Sequence, residues 1–150
     1  MRITRSVRIA APPEVVFDVV ADPERQLEWQ RGLVATEFEL PYDPAAPEGA
    51  AFVKRIKEGP KVVEYRGRVE AHARPTRYAT SIGSVNFTYR NEYTIAPDGD
   101  GARLEYLGVS DAATQKAGLA ARVFGWLTRR IVDRQLARVR ELAERAARGG

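Results

Sequence analysis

The chain has 150 residues, 44% apolar and 29% charged, with a net charge of +4, which fits one globular domain spanning 1–150. It has no cysteine and a single histidine, which excludes disulfides, thiol catalysis, thiolate metal sites and multi-histidine centres. No stretch approaches ~18 apolar residues and the N-terminus carries no apolar leader, so the expectation is a cytoplasmic protein without a transmembrane segment.

The charge is unevenly placed. Residues 1–115 carry 15 Lys/Arg against 17 Asp/Glu, whereas residues 116–150 carry 9 Lys/Arg against Asp133, Glu141 and Glu144. All of the basic excess therefore lies in the C-terminal segment.

In chain order, Ile3, Val7 and Ile9 alternate with Arg2, Thr4, Ser6 and Arg8, the pattern of a half-buried strand. Pro12-Pro13-Glu14 starts a short apolar helix that ends near Ala21. Asp22-Pro23-Glu24 starts a second one, with Asp22 as N-cap, and Gly32 is placed to end it. From there to Asp111 the pattern is of strands and turns. Val34, Thr36, Phe38 and Leu40 share a phase, and so do Phe52, Lys54 and Ile56, with the turn Glu58-Gly59-Pro60 after them. Val63 to Ala71 is the clearest period-two run; Tyr78, Thr80 and Ile82 follow the Arg74-Pro75 break. Val85, Phe87, Tyr89, Asn91, Tyr93 and Ile95 predict a long strand, and Pro97-Asp98-Gly99-Asp100-Gly101 a hairpin leading to Leu104, Tyr106, Gly108 and Ser110.

Gln115 to Ala147 reads as one long amphipathic helix, with apolar residues at three- and four-residue steps from Leu119 to Ala146. Short turns between strands imply an antiparallel meander with one buried face, and only the long helix is large enough to cover it. The expected fold class is α+β: a curved antiparallel sheet of about six to seven strands gripping one long C-terminal helix, with two short helices after the first strand.

This order, together with Ile-Ala-Ala-Pro-Pro-Glu-Val-Val-Phe-Asp-Val-Val-Ala-Asp-Pro-Glu-Arg-Gln-Leu-Glu-Trp from Ile9 to Trp29, resembles the polyketide cyclase/dehydrase-like branch of the START superfamily of helix-grip proteins. Pro12, Val16, Phe17, Asp22, Pro23 and Trp29 carry the resemblance, which extends over essentially the whole chain. It implies a cavity between sheet and C-terminal helix that takes an apolar or amphipathic ligand. It transfers no catalytic role to any of these six residues; Pro12, Asp22 and Pro23 are explained as helix starts, and Phe17 and Trp29 as aromatics that pack the two short helices across the sheet opening.

No nucleophile elbow, phosphate loop, dinucleotide fingerprint or zinc-protease motif occurs, so the catalytic residues stay unassigned and neither cofactor nor metal is expected. Strand phase nominates the ligand-facing set instead: Phe38, Phe52, Tyr65, Tyr78, Phe87, Tyr89 and Tyr106 from the sheet, Phe124 and Leu127 from the helix. Lys54 and Asn91 share the inward phase, and a buried ammonium or amide requires a partner, water or ligand. His72 falls on the outward phase as a surface residue. Gly118 and Gly125 lie seven apart, nearly on one face, and mark Phe124 and Leu127 as the ligand-facing turn of a helical lid.

Three functions follow. The first is binding of a small hydrophobic or aromatic ligand, as carrier, sensor or accessory protein. The second is a polyketide cyclase or dehydratase. The third is an RNA-, ribosome- or membrane-associated module using the basic helix; nucleic acid is the less expected partner because few aromatics interleave with its arginines. The charged outer sheet face points to a monomer or weak dimer.

Overall fold

The computed structural model describes residues 1–84, 87–112 and 119–149. Its elements are β1 (Arg2–Ile9), α1 (Pro13–Ala21), α2 (Pro23–Trp29), β2 (Leu33–Phe38), β3 (Ala51–Glu58), β4 (Lys61–Ala73), β5 (Arg77–Ser84), β6 (Phe87–Asp98), β7 (Gly101–Ala112) and α3 (Leu119–Ala147). Of the expected long helix, Gln115 to Gly118 lies outside the described residues, as does Val85 of the sixth strand.

The sheet is antiparallel throughout, with the order β1-β7-β6-β5-β4-β3-β2. The β3–β4 and β6–β7 hairpins turn at Gly59 and Gly99, both at positive φ, which only glycine adopts without strain. β1 pairs with β7, Ile3 opposite Gly108 and Ile9 opposite Ala102, so the first strand forms one edge and β2 the other.

The short helices form where their start signals stand. Pro12 and Pro13 open α1, and the Asp22 carboxylate accepts from the Glu24 amide at 2.9 Å to cap α2. Both helices press onto the concave face. Phe17 meets the rings of His72 and Tyr78 edge-on at 5.0 and 6.4 Å, and the Trp29 indole N–H donates to the Val19 carbonyl at 2.8 Å. The signature aromatics Phe17 and Trp29 are thus buried core.

α3 runs beside β1 in the same direction. Gly125 lies against Met1, Asp133 bonds Arg5 at 2.6 Å, and the Glu144 carboxylate accepts from the Ala10 amide at 2.9 Å. Nineteen helical residues at 1.5 Å and nine extended ones at 3.3 Å both span roughly 30 Å, so the two elements match in length. The C-terminal half of α3 is seated, with Val132, Leu136, Val139, Leu142 and Ala143 all buried. The N-terminal half is not: Val123, Phe124, Trp126 and Leu127 are exposed, and Gly125 is buried.

Two strand phases differ from the sequence reading, each for the same reason. Register shifts between Leu33 and Ala35 and between Val69 and Ala71 insert an extra residue, and a one-residue slip exchanges the faces of a strand. Leu33 is therefore buried and Val34 is exposed. His72 turns inward against Phe17, so it is a half-buried packing residue and no surface histidine.

Candidate functional site

The registers arrange the inward side chains in rows across the sheet. Tyr78, Tyr93 and Tyr106 form one row over β5, β6 and β7, with ring centroids 6.2 and 5.2 Å apart. This row is buried beneath α1, α2 and the seated half of α3. Two rows closer to the Met1 end, the wall changes character. Phe38, Phe52, Gly67, Ile82, Tyr89 and Ser110 are aligned there, and beyond them Thr36, Lys54 and Tyr65, with Phe87 next to Ser84. Ile56, Tyr65, Ile82, Phe87 and Tyr89 are only partly covered. This end of the sheet is the one beside Met1, against which the N-terminal half of α3 rests at Gly125. The concave face is therefore packed at one end, while at the other its aromatic side chains stay partly exposed.

The nominated residues divide accordingly. Phe52 and Tyr78 are full core residues, 3% and 6% exposed. Phe38 stacks on Tyr42 of the following loop at 3.9 Å and meets Phe52 edge-on at 5.9 Å. Tyr65 and Phe87 pair at 6.1 Å at the partly covered end, where the Tyr65 hydroxyl donates to Glu58 at 2.7 Å. Burial, with the Glu58 carboxylate beside it, pushes the Tyr65 hydroxyl up to about 12. Phe124 and Leu127 are exposed at the overhanging end of α3. The glycine between them does not open space for a ligand: Gly125 is the residue that brings the helix against Met1. Gly118 lies outside the described residues.

Two polar groups converge on the inward wall. In the first, the Tyr106 hydroxyl donates to Asn91 Oδ1 at 2.7 Å and lies 3.0 Å from the Tyr89 hydroxyl. Tyr106 has one proton and spends it on Asn91, so Tyr89 must donate to Tyr106. Among the described residues the Tyr89 oxygen accepts from no donor and the Asn91 amide nitrogen has no hydrogen-bond partner. Burial raises the pKa of both tyrosines, so both stay protonated at neutral pH.

The second group surrounds Lys54, which is 4% exposed. Its ammonium donates to Gln30 Oε1 at 2.8 Å and to Gln26 Oε1 at 3.3 Å, and lies 5.5 Å from the Phe52 ring centre. Gln26 in turn donates to the Val20 carbonyl and the Tyr78 hydroxyl, at 2.9 and 3.1 Å. Among the described residues no carboxylate lies within ion-pairing distance of Lys54. Desolvation alone holds it far below an ordinary lysine, at about 7. The Thr36 hydroxyl, on the residue paired with Lys54 across β2 and β3, is buried without a partner among the described residues.

Gln26 and Gln30 were not visible as site residues in the sequence, because a glutamine on a short polar helix reads as solvent-facing. Only their buried partner reveals them. Among the described residues no group of acidic and histidine side chains is spaced to hold a metal ion, and no helix is long and apolar enough to cross a membrane.

Comparison with known proteins follows the same lines. The family model described as polyketide cyclase / dehydrase and lipid transport matches residues 1–144. No curated protein matches in sequence. Among solved structures, a protein of Thermus thermophilus is 17% identical, with 98% of this chain and 99% of that one covered at a TM-score of 0.77. A START superfamily protein from Mycobacterium smegmatis is 14% identical over 99% of this chain and 97% of its own, at 0.69. The di-domain ARO/CYC StfQ of the steffimycin biosynthetic pathway is 9% identical, at 0.77, over 97% of this chain and 52% of that one. At these identities the structural likeness concerns the fold, while the family match spans nearly the whole sequence. The chain belongs to the polyketide cyclase/dehydrase and lipid transport family, on a START-like helix-grip fold.

Proposed function

We propose that the protein binds a small hydrophobic or aromatic molecule in the cleft between β3–β7 and the N-terminal half of α3. One observation carries this reading. The α1 end of the concave face is packed core, yet at the Met1 end Tyr65, Ile82, Phe87 and Tyr89 stay partly uncovered, and Phe124 and Leu127 of α3 are exposed. A globular domain rarely leaves several large apolar side chains uncovered in one region unless something occupies them. The Tyr89 oxygen and the Asn91 amide supply the few polar contacts that orient a ligand in a mostly apolar site. Family membership and the START-like neighbours support the same role.

The test is equilibrium titration with a neutral fluorescent hydrophobe such as N-phenyl-1-naphthylamine, with native mass spectrometry of the purified protein alongside. Saturable 1:1 binding that a hydrophobic competitor displaces is the expected result. Linear, unsaturable fluorescence together with no co-purifying ligand would sink the reading.

A further inference from the structure

The N-terminal half of α3 carries a surface that ligand binding on the concave face does not use. Val123, Arg130 and Arg134 stand nine residues before Val132, Val139 and Ala143, which is about two and a half helical turns and so the opposite side of the helix. Val132, Val139 and Ala143 are buried, whereas Val123, Arg130 and Arg134 are exposed. Trp126 is beside them, 60% exposed, and Leu127 lies between this face and Phe124. Of the nine large apolar side chains exposed among the described residues, four fall within the five positions from Val123 to Leu127. Scattered apolar residues on a surface need no explanation, but a cluster on so short a stretch does.

The charge of this half is as one-sided as its hydrophobicity. Between Asp111 and Asp133 the sequence has four Lys/Arg and no acidic residue. Farther along the helix the arginines are neutralised, Arg138 and Arg145 by Glu141 and Arg140 by Glu144. Arg122, Arg129, Arg130 and Arg134 enter no ion pair among the described residues. Asp133, the acid nearest to them on the helix, is held by Arg5 at 2.6 Å. The Arg130 guanidinium instead lies over the Trp126 ring, 5.8 Å from its centre. Uncompensated cations therefore surround an exposed tryptophan.

We propose that this face of α3 docks the protein on a bilayer containing anionic phospholipids. Val123 and Trp126 enter the boundary between headgroups and acyl chains, and Arg122, Arg129, Arg130 and Arg134 meet the lipid phosphates. That occupant matches the face on both counts. An indole is suited to the interfacial layer, where its ring is in apolar surroundings and its N–H meets headgroups. Guanidinium groups hold phosphates through paired N–H donors. A helix lying in the interface plane presents this combination of basic and apolar side chains. A second copy of the chain fits less well, because a two-fold contact through this face sets arginines against arginines. RNA fits less well too, since it leaves Val123 and Leu127 in water and finds one ring, Trp126, to stack on. The contact spans about three turns of one helix, so adsorption is reversible and falls with salt. It goes beyond ligand binding on the concave face and does not depend on it.

The two tryptophans make docking readable in the unaltered chain, because Trp29 is only 4% exposed and Trp126 is the one that solvent reaches. The full chain is mixed with vesicles of phosphatidylcholine containing about one third phosphatidylglycerol, and in parallel with pure phosphatidylcholine vesicles. The expected result is co-sedimentation with the anionic vesicles alone. Tryptophan emission shifts to the blue there and is quenched by acyl-brominated lipid, and roughly 0.5 M NaCl releases the protein. Trp126→Phe still sediments but loses the blue shift. Arg130→Glu with Arg134→Glu weakens partitioning at least about tenfold. Arg66→Glu with Arg148→Glu, an equal change of charge at exposed positions off this face, weakens it less than about threefold.

No sedimentation with the anionic vesicles overturns the proposal. Equal losses in the two charge-reversed pairs overturn it too, because the net charge of the chain is then responsible. Sedimentation without blue shift or quenching does the same, since Trp126 then stays in water. A dimer that Trp126→Ala dissociates, or an RNA that displaces the vesicles and is lost with Trp126→Ala, assigns the face to another occupant. Saturable N-phenyl-1-naphthylamine binding in the same preparation confines any of these failures to this face of α3.

Discussion

The Tyr106 hydroxyl on β7 reaches diagonally across the sheet to Asn91 on β6, at 2.7 Å, over the bare backbone of Gly108. Gly108 is opposite Asn91 in register, and a Cβ built there falls on the Tyr89 hydroxyl and 2.6 Å from that of Tyr106. The absence of a side chain at one position lets two hydroxyls and an amide converge. Gly108→Ala should therefore displace both tyrosines at a cost of roughly 1–3 kcal/mol, the range for overpacking a well-filled interior. Urea unfolding gives the stability change, and a crystal structure of the variant showing the Tyr89–Tyr106 contact undisturbed would refute the account.

Lys54 makes stability depend on pH in a defined direction. Its folded pKa is about 7 against 10.5 when unperturbed, so between these values the unfolded chain holds a proton that the folded chain does not. The contribution of this group to stability therefore rises as pH climbs from about 7 towards about 10, and is smallest below 7. At roughly 1.4 kcal/mol per pKa unit the full excursion amounts to a few kcal/mol. Lys54→Met should flatten that rise in urea unfolding at pH 6, 8 and 9.5. Equal pH slopes in the two proteins would show that Lys54 titrates normally.

Phe124 and Leu127 separate binding from folding. Both are exposed, so Phe124→Ala and Leu127→Ala should each change stability by less than about 0.5 kcal/mol. If they cap the ligand, each should weaken hydrophobe binding by about fivefold to tenfold, the loss of one apolar contact face. Unchanged affinity in both variants would remove the N-terminal half of α3 from the site.

Gly125 gives the opposite test. Its Cβ would meet Met1 Sδ at 3.5 Å, an ordinary contact, and the movable end of Arg129 at 3.1 Å. An alanine fits, and within a helix it should stabilise by about 0.5–1 kcal/mol. Leucine at the same position should push the helix off Met1 and destabilise. A thermal melt of Gly125→Ala below that of the wild type would mean that the glycine has a role besides seating the helix.

Much of the fold was legible because it rests on local signals. The Pro and Asp helix starts, the glycine turns and the period-two runs each act within a few residues, and α1, α2 and the β3–β4 and β6–β7 hairpins appear where those signals stand. What failed was local too, but invisible: the extra residues near Val34 and before His72 leave no mark in composition, and each reversed a face. Lys54 and Asn91 were detectable as polar residues on an apolar phase. Their partners were not, since Gln26 and Gln30 reach Lys54 from elements 28 and 24 residues away in the chain.

The pairing of β1 with β7 has a consequence for how the molecule comes into being. Ile3 finds its place opposite Gly108, more than a hundred residues later, so the first strand emerges from the ribosome long before the strand it pairs with exists. The meander from β2 to β7 can grow by successive hairpins, each closing a small loop, whereas β1 and the helix that runs beside it must wait for the last strand. Assembly should accordingly end with a slow docking of the two chain ends onto a preformed sheet, and until that moment the apolar concave face lacks the seated half of α3 as cover. A nascent chain stalled after β7 would then be the species most in need of a chaperone.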